Sequence, residues 1–434
     1  MPSDSFKSTA KLDLSPWAEP PWSQGIASPY YNDSHRALRD YVRSYVDEHI
    51  LPAHLEWENA GAAPREQQLA WAQSGIPFAE VPAAYRPTHI PGPAGIPAGE
   101  LDAFHLLVMT DETARVQGGV MSSLGGASVI GLPPILVHGT EEQKRKWVPG
   151  VFDWQTSFCL GITEPGVGSD VGNIEASAIK SADGKSYVVN GMKKWITGTP
   201  WATHMTTAVR TGGPGHSGIS VLVIPMNSKG LTWRRIENSG QKAGGASLIE
   251  LDDVHVPVEN LLGRENDGFK IIMTNFNKER FIMSIGCNRH ARTCLSHSLA
   301  YAHKRTTFGK PLISNQVIAV KLSTLARYIE SHWAWLEQIA YAVQNSPHGW
   351  QDPDLAGRIA LAKVQGGRLL ELASREAQQV FGGAGYQRGG VGAIVEQISR
   401  DLRMMVVGGG SEEIIADLAV RQETALAKRR GWKL

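Results

Sequence analysis

The chain has 434 residues, 43 Lys+Arg against 42 Asp+Glu, a formal net charge of +1 and 42% hydrophobic residues. That length suggests roughly two to four domains, and the balanced charge excludes an overall basic nucleic-acid binder and an acidic solvating tail. No apolar run approaches the ~20 residues of a membrane helix, and Cys159, Cys287 and Cys294 are too few for a disulfide framework.

Residues 1–33 are rich in Pro, Ser and Trp and lack periodicity, which predicts an irregular arm. The arm has no apolar signal core, and it is neither Arg-rich nor acid-poor, which argues against a mitochondrial presequence. Ser34 is the expected N-cap of a first helix, with Leu38, Tyr41, Val42 and Tyr45 at helical spacing until Pro52. A Pro/Gly-rich surface loop is expected over 82–99, then helices over 100–118 and 140–148. The second opens with Thr140-Glu141-Glu142-Gln143, a capping-box pattern.

From Thr156 the texture changes to short apolar runs between turn signals: FCLGI, SYVVNG, ISVLVIP and LIELDDVHV. Asp183-Gly184 before SYVV is a hairpin signal. Beyond Pro257 prolines are sparse and Ala, Leu, Glu, Arg, Gln and Lys dominate, as in three or four long helices of a bundle. The expected division is an arm (1–33), a helical domain (34–155), a β domain (156–265) and a helical bundle (266–434), an α+β chain. The tail, Trp432-Lys433-Leu434, is a degenerate form of the S-K-L peroxisomal address, so a cytoplasmic or peroxisomal location is expected.

Two patterns mislead. Gly213–Gly218 spells G-x-G-x-x-G, but it precedes the strand-like ISVLVIP where a dinucleotide turn must open a helix. Cys287, His290, Cys294 and His297 form one stripe of a helical stretch. At 1.5 Å per residue they spread over about 15 Å, too far for one zinc ion, so a packed helix face and no metal are expected.

Five segments carry chemistry. Thr163-Glu164-Pro165-Gly166-Val167-Gly168-Ser169-Asp170 ends an apolar run in a Gly-rich turn suited to a phosphate. Lys193-Lys194-Trp195-Ile196-Thr197 offers a flat indole beside polar donors, or equally an interior Trp. Arg305-Thr306-Thr307-Phe308-Gly309-Lys310-Pro311, followed by Gln316, places an Arg at a helix end, to fork a phosphate or complement the helix C-terminus. Gln379 to Tyr386 runs a helix into a Gly-rich turn, and Gly408-Gly409-Gly410-Ser411-Glu412-Glu413 opens a new helix after three glycines.

In this order and spacing, TEPGVGSD, KKWITG, RTTFGKP and QVFGGAGY resemble the acyl-CoA dehydrogenase family of flavoproteins, from about residue 34 onward. The resemblance implies an N-terminal helical domain, a β-barrel-like middle domain and a C-terminal four-helix bundle. It implies FAD, with Leu160, Ile162 and Thr163 lining the flavin, Ser169 at the pyrophosphate or the substrate, and Trp195 and Thr197 near the isoalloxazine. Arg305, Phe308, Gln316, Gln379, Gly382 and Gly383 would serve the cofactor across a subunit interface, with Ser411 and Glu413 capping the same site. Phe276, Asn277 and Arg280 match positions that hold the CoA chain. A homotetramer, an acyl-CoA substrate and an electron-transfer flavoprotein or another acceptor are implied as partners.

Many members place the catalytic base in the loop where this chain has Gly409. The isovaleryl-CoA and long-chain enzymes place it instead on a helix, at the position matched by Glu279. Independently of family, Ile272, Phe276, Glu279 and Met283 share one helix stripe, and a carboxylate on an apolar stripe is costly unless used or paired. Burial there would raise its pKa, which suits a base acting on a weak carbon acid. The resemblance therefore implies α-proton removal by Glu279 and β-hydride transfer to flavin, giving a 2,3-enoyl-CoA, with the Gly409 N–H as an oxyanion donor. Glu412 and Glu413 are rival bases. The alternatives are an oxygen-using relative (acyl-CoA oxidase, flavin monooxygenase or nitroalkane oxidase-like) and a catalytically silent FAD-binding scaffold.

Overall fold

Helix α1 (Asp33–Tyr45) is capped by Asn32, not Ser34. The Asn32 side-chain oxygen accepts the Ser34 and His35 N–H groups, and the His35 ring accepts the Asn32 N–H in return. Ser34 instead donates its hydroxyl to Asn32 Oδ1 at 2.7 Å. The amide carbonyl reaches the second and third N–H groups, so it leaves the serine two residues inside the helix. Helix α2 (Ala103–Thr113) repeats the device with Asp102 and His105. Helix α3 (Glu141–Trp147) carries the expected capping box between Thr140 and Gln143.

The computed structural model describes residues 13, 15–125 and 127–433. Most of the expected arm's first half, and Leu434 of the expected peroxisomal address, lie outside the described residues. The remainder of the arm is anchored. It holds a 3-10 turn, Pro21–Gln24, with Trp22 stacked on Tyr31 at 4.1 Å between centroids, and buried Glu19. The 82–99 loop is likewise not a plain surface excursion. Three short turns interrupt it, Ile90 and Ile96 are buried, and Arg86 donates to Phe78 O and Ala79 O at 2.7 and 2.9 Å.

The chain divides into two compact units. One unit comprises residues 53–100 and 118–276, and its centre is an eight-stranded sheet. The strands are β1 (Phe158–Gly161), β2 (Ser177–Lys180), β3 (Ser186–Ile196), β4 (His204–Arg210), β5 (Ile219–Pro225), β6 (Leu231–Arg235), β7 (Ser247–Pro257) and β8 (Leu261–Leu262). Antiparallel β6–β7–β3–β2 and β4–β5–β8 meet through a single parallel pairing, Ser177 with Arg210, and β1 runs parallel to β4. The Asp183-Gly184 hairpin joins β2 to β3 as expected. The Gly213–Gly218 stretch connects β4 to β5, where the Arg210 guanidinium holds Gly213 O and Gly215 O at 2.6 and 3.1 Å.

The other unit comprises residues 1–52, 101–117 and 277–434, and it is helical among the described residues apart from one small hairpin. Its long helices are α4 (Gly268–Lys304, from Asn277 onward in this unit), α5 (Gln316–Gln344) and α6 (Ala356–Phe381). Two shorter ones follow, α7 (Ala393–Val407) and α8 (Glu412–Arg429). The three long helices are those that proline spacing suggests, and after Pro353 glycines, not prolines, set off the two shorter ones. Cys287 and Cys294 pack into the bundle core with Leu325, Ile329, Leu369 and Ile398. Burial pushes both thiols up to about 12, and His290 Nδ1 donates to Gly286 O at 2.8 Å, which fits the packed-face reading of this stripe. Among the described residues no helix is long and apolar enough to cross a membrane.

Candidate active site

In the sheet unit, strand β1 leads directly into the Gly-rich turn. Glu164 and Val167 exchange N–H···O bonds of 2.9 and 3.2 Å around Pro165-Gly166, so those two N–H groups do not face a ligand. Gly166, Gly168 and Ser169 are exposed, and a Cβ added at either glycine would meet nothing. Thr163 and Leu160 are half-buried and Ile162 is buried. The Thr163 carbonyl accepts the Lys194 N–H at 2.8 Å, which joins the turn to the end of β3.

That end of β3 bulges between Lys193 and Ile196. Strict alternation would place Trp195 on the buried face with Lys193. The bulge, with Trp195 at φ 66°, turns the indole outward instead, where it is 51% exposed. The interior-Trp reading is therefore overturned. The hydroxyls of Thr163 and Thr197, a displayed indole and a side-chain-free turn beside Ser169 form a donor set that fits a flavin with a phosphate tail.

In the helical unit the third motif is a small hairpin, Thr306–Thr307 paired with Lys310–Pro311. Phe308 (φ 50°) and Gly309 (φ 74°) form its primed turn, which throws Phe308 to 98% exposure. Arg305 is exposed before the hairpin, and Gln316 is the exposed first residue of α5. Gln379 is exposed near the end of α6, and Gly382 (φ 58°) caps that helix with Gly383 after it. Arg305 and Phe381 line one cavity of about 530 Å³, with His297, Tyr301 and Lys304. Two of the expected cofactor segments thus converge.

Glu279 is half-buried on α4, one turn before Met283. Gly409 has φ 68°, and a Cβ there would lie 3.1 Å from Met283 Sδ and 3.6 Å from Arg280 Cγ. A Cβ at Gly408 would lie 2.6 Å from Met283 Cε. The space a loop side chain would occupy is filled by Met283. Arg280 is buried and donates Nε–H to Gly409 O at 3.1 Å. Burial pushes its guanidinium pKa down, opposed by the Glu279 carboxylate. Buried Lys363 of α6 donates to Val406 O and to Gly410 O, the latter at 2.9 Å. Two cations therefore hold the carbonyls of the glycine loop.

The other expected residues are dispersed. The Asn277 side-chain amide donates to Trp350 O at 3.2 Å, and Phe276 packs at the edge of the sheet unit's core. Ser411 occupies the N-cap position of α8, but its hydroxyl does not cap the helix. Glu413 is exposed. Arg368 grips Glu412 at 3.1 and 3.2 Å and lowers its carboxyl pKa, the wrong direction for a base. Sequence reasoning passed over Met283 as a space-filler, Lys363 as a loop anchor, and a buried Glu164–Lys193 pair. The only sequence signal for the pair was a lysine on the inward parity of β3.

Gly409→Ala should cost roughly 1–2 kcal/mol from the left-handed backbone and the Met283 contact. Thermal melts should show the loss, and catalytic turnover should fall with it. An unchanged melt and turnover would mean that the loop is not strained as described.

Residues 32–154, 159–254 and 266–423 match the N-terminal, middle and C-terminal domains of acyl-CoA dehydrogenase. The chain is 40% identical over 432 residues to the acyl-CoA dehydrogenase apdG of Emericella nidulans, covering 98% of this chain and 99% of that one. It is 42% identical over 416 residues to the acyl-CoA dehydrogenase AFT10-1 of Alternaria alternata, covering 94% and 95%. Among solved structures, a probable acyl-CoA dehydrogenase from Mycobacterium abscessus superposes with a TM-score of 0.81 at 32% identity, covering 91% of this chain and 100% of that one.

Proposed function

The chain belongs to the acyl-CoA dehydrogenase family of FAD-dependent oxidoreductases acting on CH–CH bonds, and from that premise we propose that it converts an acyl-CoA to its 2,3-enoyl-CoA with Glu279 as the base. The observation that carries this assignment is the glycine loop. Gly409 bears no side chain, Met283 fills the space beside it, and Glu279 stands one turn away on the same helix as Met283.

In this reading a Glu279 carboxylate oxygen takes the α-proton, and the electron pair left behind becomes the new C=C bond as the β-hydrogen departs as hydride. FAD, when bound, supplies the hydride acceptor. Thr163, Trp195, Thr197 and Ser169 would hold it from the sheet unit. The Gly409 N–H would donate to the thioester oxygen, whose negative charge grows as the proton leaves. Arg280 and Lys363, by tying the Gly409 and Gly410 carbonyls, keep that N–H in place before substrate arrives. Arg280 therefore serves the loop as well as, or in place of, the CoA chain.

The exposed Arg305, Phe308, Gln316, Gln379 and Gly383 support a cofactor shared across a subunit interface, and the homotetramer is carried over from the family resemblance. Electrons then leave to an electron-transfer flavoprotein. Anaerobic titration with a panel of acyl-CoA thioesters tests the function. At least one should bleach the oxidised flavin band and yield the enoyl-CoA. If none does, the protein is not a dehydrogenase of this kind. Bleaching that reverses in air with stoichiometric hydrogen peroxide would reassign it as an oxidase.

A further inference from the structure

Lys193 is completely buried and Glu164 is 5% exposed. Their contact is short, 2.6 Å from Nζ to Oε1. A buried ion pair is weak evidence of stabilisation, because well-packed apolar residues in its place are often as good or better. Its contacts suggest another purpose. Lys193 Nζ also donates to Ile162 O at 3.2 Å. The Glu164 carboxylate accepts the N–H groups of Glu175 and Ala176 at 2.6 and 3.0 Å. The pair thereby ties together residues 162–164, 175–176 and 193, adding a buried side-chain link to the Lys194 N–H···O Thr163 bond and the β2–β3 pairing that already bring these segments side by side.

Two of the expected flavin contacts, Thr163 and Trp195, lie on or within two residues of those segments. Thr163 lies between two residues that Lys193 touches, and its carbonyl is bonded to the next residue, Lys194. Ser169 follows in the same turn. Trp195 stands two positions after Lys193 in a left-handed conformation, which persists only where the surroundings over-determine it.

We propose that Glu164 and Lys193 are the positioning pair of the flavin site, setting the Thr163 edge and the Trp195 indole in register before FAD binds. The proposal rests on the reading of Thr163 and Trp195 as flavin contacts. The pair touches backbone and not the cofactor, so neither residue is catalytic.

Burial pushes the Lys193 ammonium down to about 8, and Glu164, the charged group facing it, works against that shift. The folded pKa lies below the unfolded value of 10.5, so between about 8 and 10.5 the folded protein has released a proton that the unfolded chain still holds. The contribution of this group to folding stability therefore rises over that window. A positioning role predicts the opposite for FAD, whose affinity should fall as the ammonium is lost. The two readouts separate positioning from mere structure.

The test measures FAD binding to apoprotein by fluorescence, alongside thermal melts. Lys193→Met should weaken FAD binding by roughly tenfold or more. The double variant Lys193→Met/Glu164→Gln should do the same while melting near or above wild type, which keeps the test open if the single variant misfolds. Wild-type affinity should decline between about pH 7 and 9.5 with a midpoint near 8, and the double variant should show no such decline. Unchanged affinity in both variants overturns the proposal. Trp195→Ala tests the underlying site reading separately. If it binds FAD as wild type does, that reading fails; if it binds weakly while Lys193→Met is normal, only the positioning role fails.

Discussion

Glu279→Gln is expected to leave FAD bound and the fold intact, yet to slow flavin bleaching by acyl-CoA by roughly 10²–10⁴-fold, the contribution of a general base. That is about 3–5.5 kcal/mol of barrier. Gln keeps the shape and the half-buried position but cannot take the α-proton. Stopped-flow absorbance under anaerobic conditions reads the step directly. The rivals are distinguishable in the same assay. Glu412 is held ionised by Arg368, so Glu412→Gln should change the rate little. Bleaching at the wild-type rate in Glu279→Gln would remove Glu279 from the mechanism, and a collapse in Glu412→Gln would replace it.

Glu19→Gln is expected to destabilise the helical unit by about 3 kcal/mol at neutral pH, although it lies in a stretch that reads as an irregular arm. Glu19 is the hub of a buried charge cluster. Arg43 donates to its two oxygens at 2.6 and 2.9 Å, and Arg289 approaches at 3.4 Å while also gripping Asp111. Arg43 and Arg39 continue to Glu112 at 2.8 and 3.1 Å. Burial alone would raise the Glu19 pKa, but Arg289, Arg43 and Arg39 outweigh it and hold the carboxyl near 2, below its ordinary 4.5. A depressed folded pKa stabilises above the unfolded value, so this contribution is complete above about pH 4.5 and fades as pH falls through 2. Urea melts of wild type should weaken across that acid window, and those of Glu19→Gln should weaken less. Arg289→Met should cost more, about 3–5 kcal/mol, because it leaves Asp111 buried without its cation and takes one of three cations from Glu19. Melts that do not move in either variant would show the arm to be dispensable.

Much of the fold was legible where local chemistry decides the outcome. The alternating runs became β1, β3, β5 and β7, and the Thr140 capping box and the Asp183-Gly184 hairpin formed as read. Strands β2, β4 and β6 were not legible. Strand β4, HMTTAVR, is buried at every central position, so its threonines show no alternation to read. Asn32 captured the cap from Ser34 because two candidate side chains competed within three residues. In the site, the absence of a carboxylate at Gly409 was visible in one letter. What fills its place was not, because the contact joins residues 126 positions apart, Met283 and Gly409. The outward turn of Trp195 depends on a bulge that no residue type in β3 announces.

The Met283 contact has a consequence for how such an enzyme can change. Position 409 and position 283 form a linked pair in sequence space, because a side chain at the first collides with the thioether at the second. A single substitution that moved the carboxylate to the loop would meet that collision before it could be useful. The reverse single step, loss of Glu279, would leave no base at all. A carboxylate placed on the loop therefore asks two things at once: the flexible end of Met283 must give by a few tenths of an ångström, and residue 409 must hold a left-handed backbone that favours glycine.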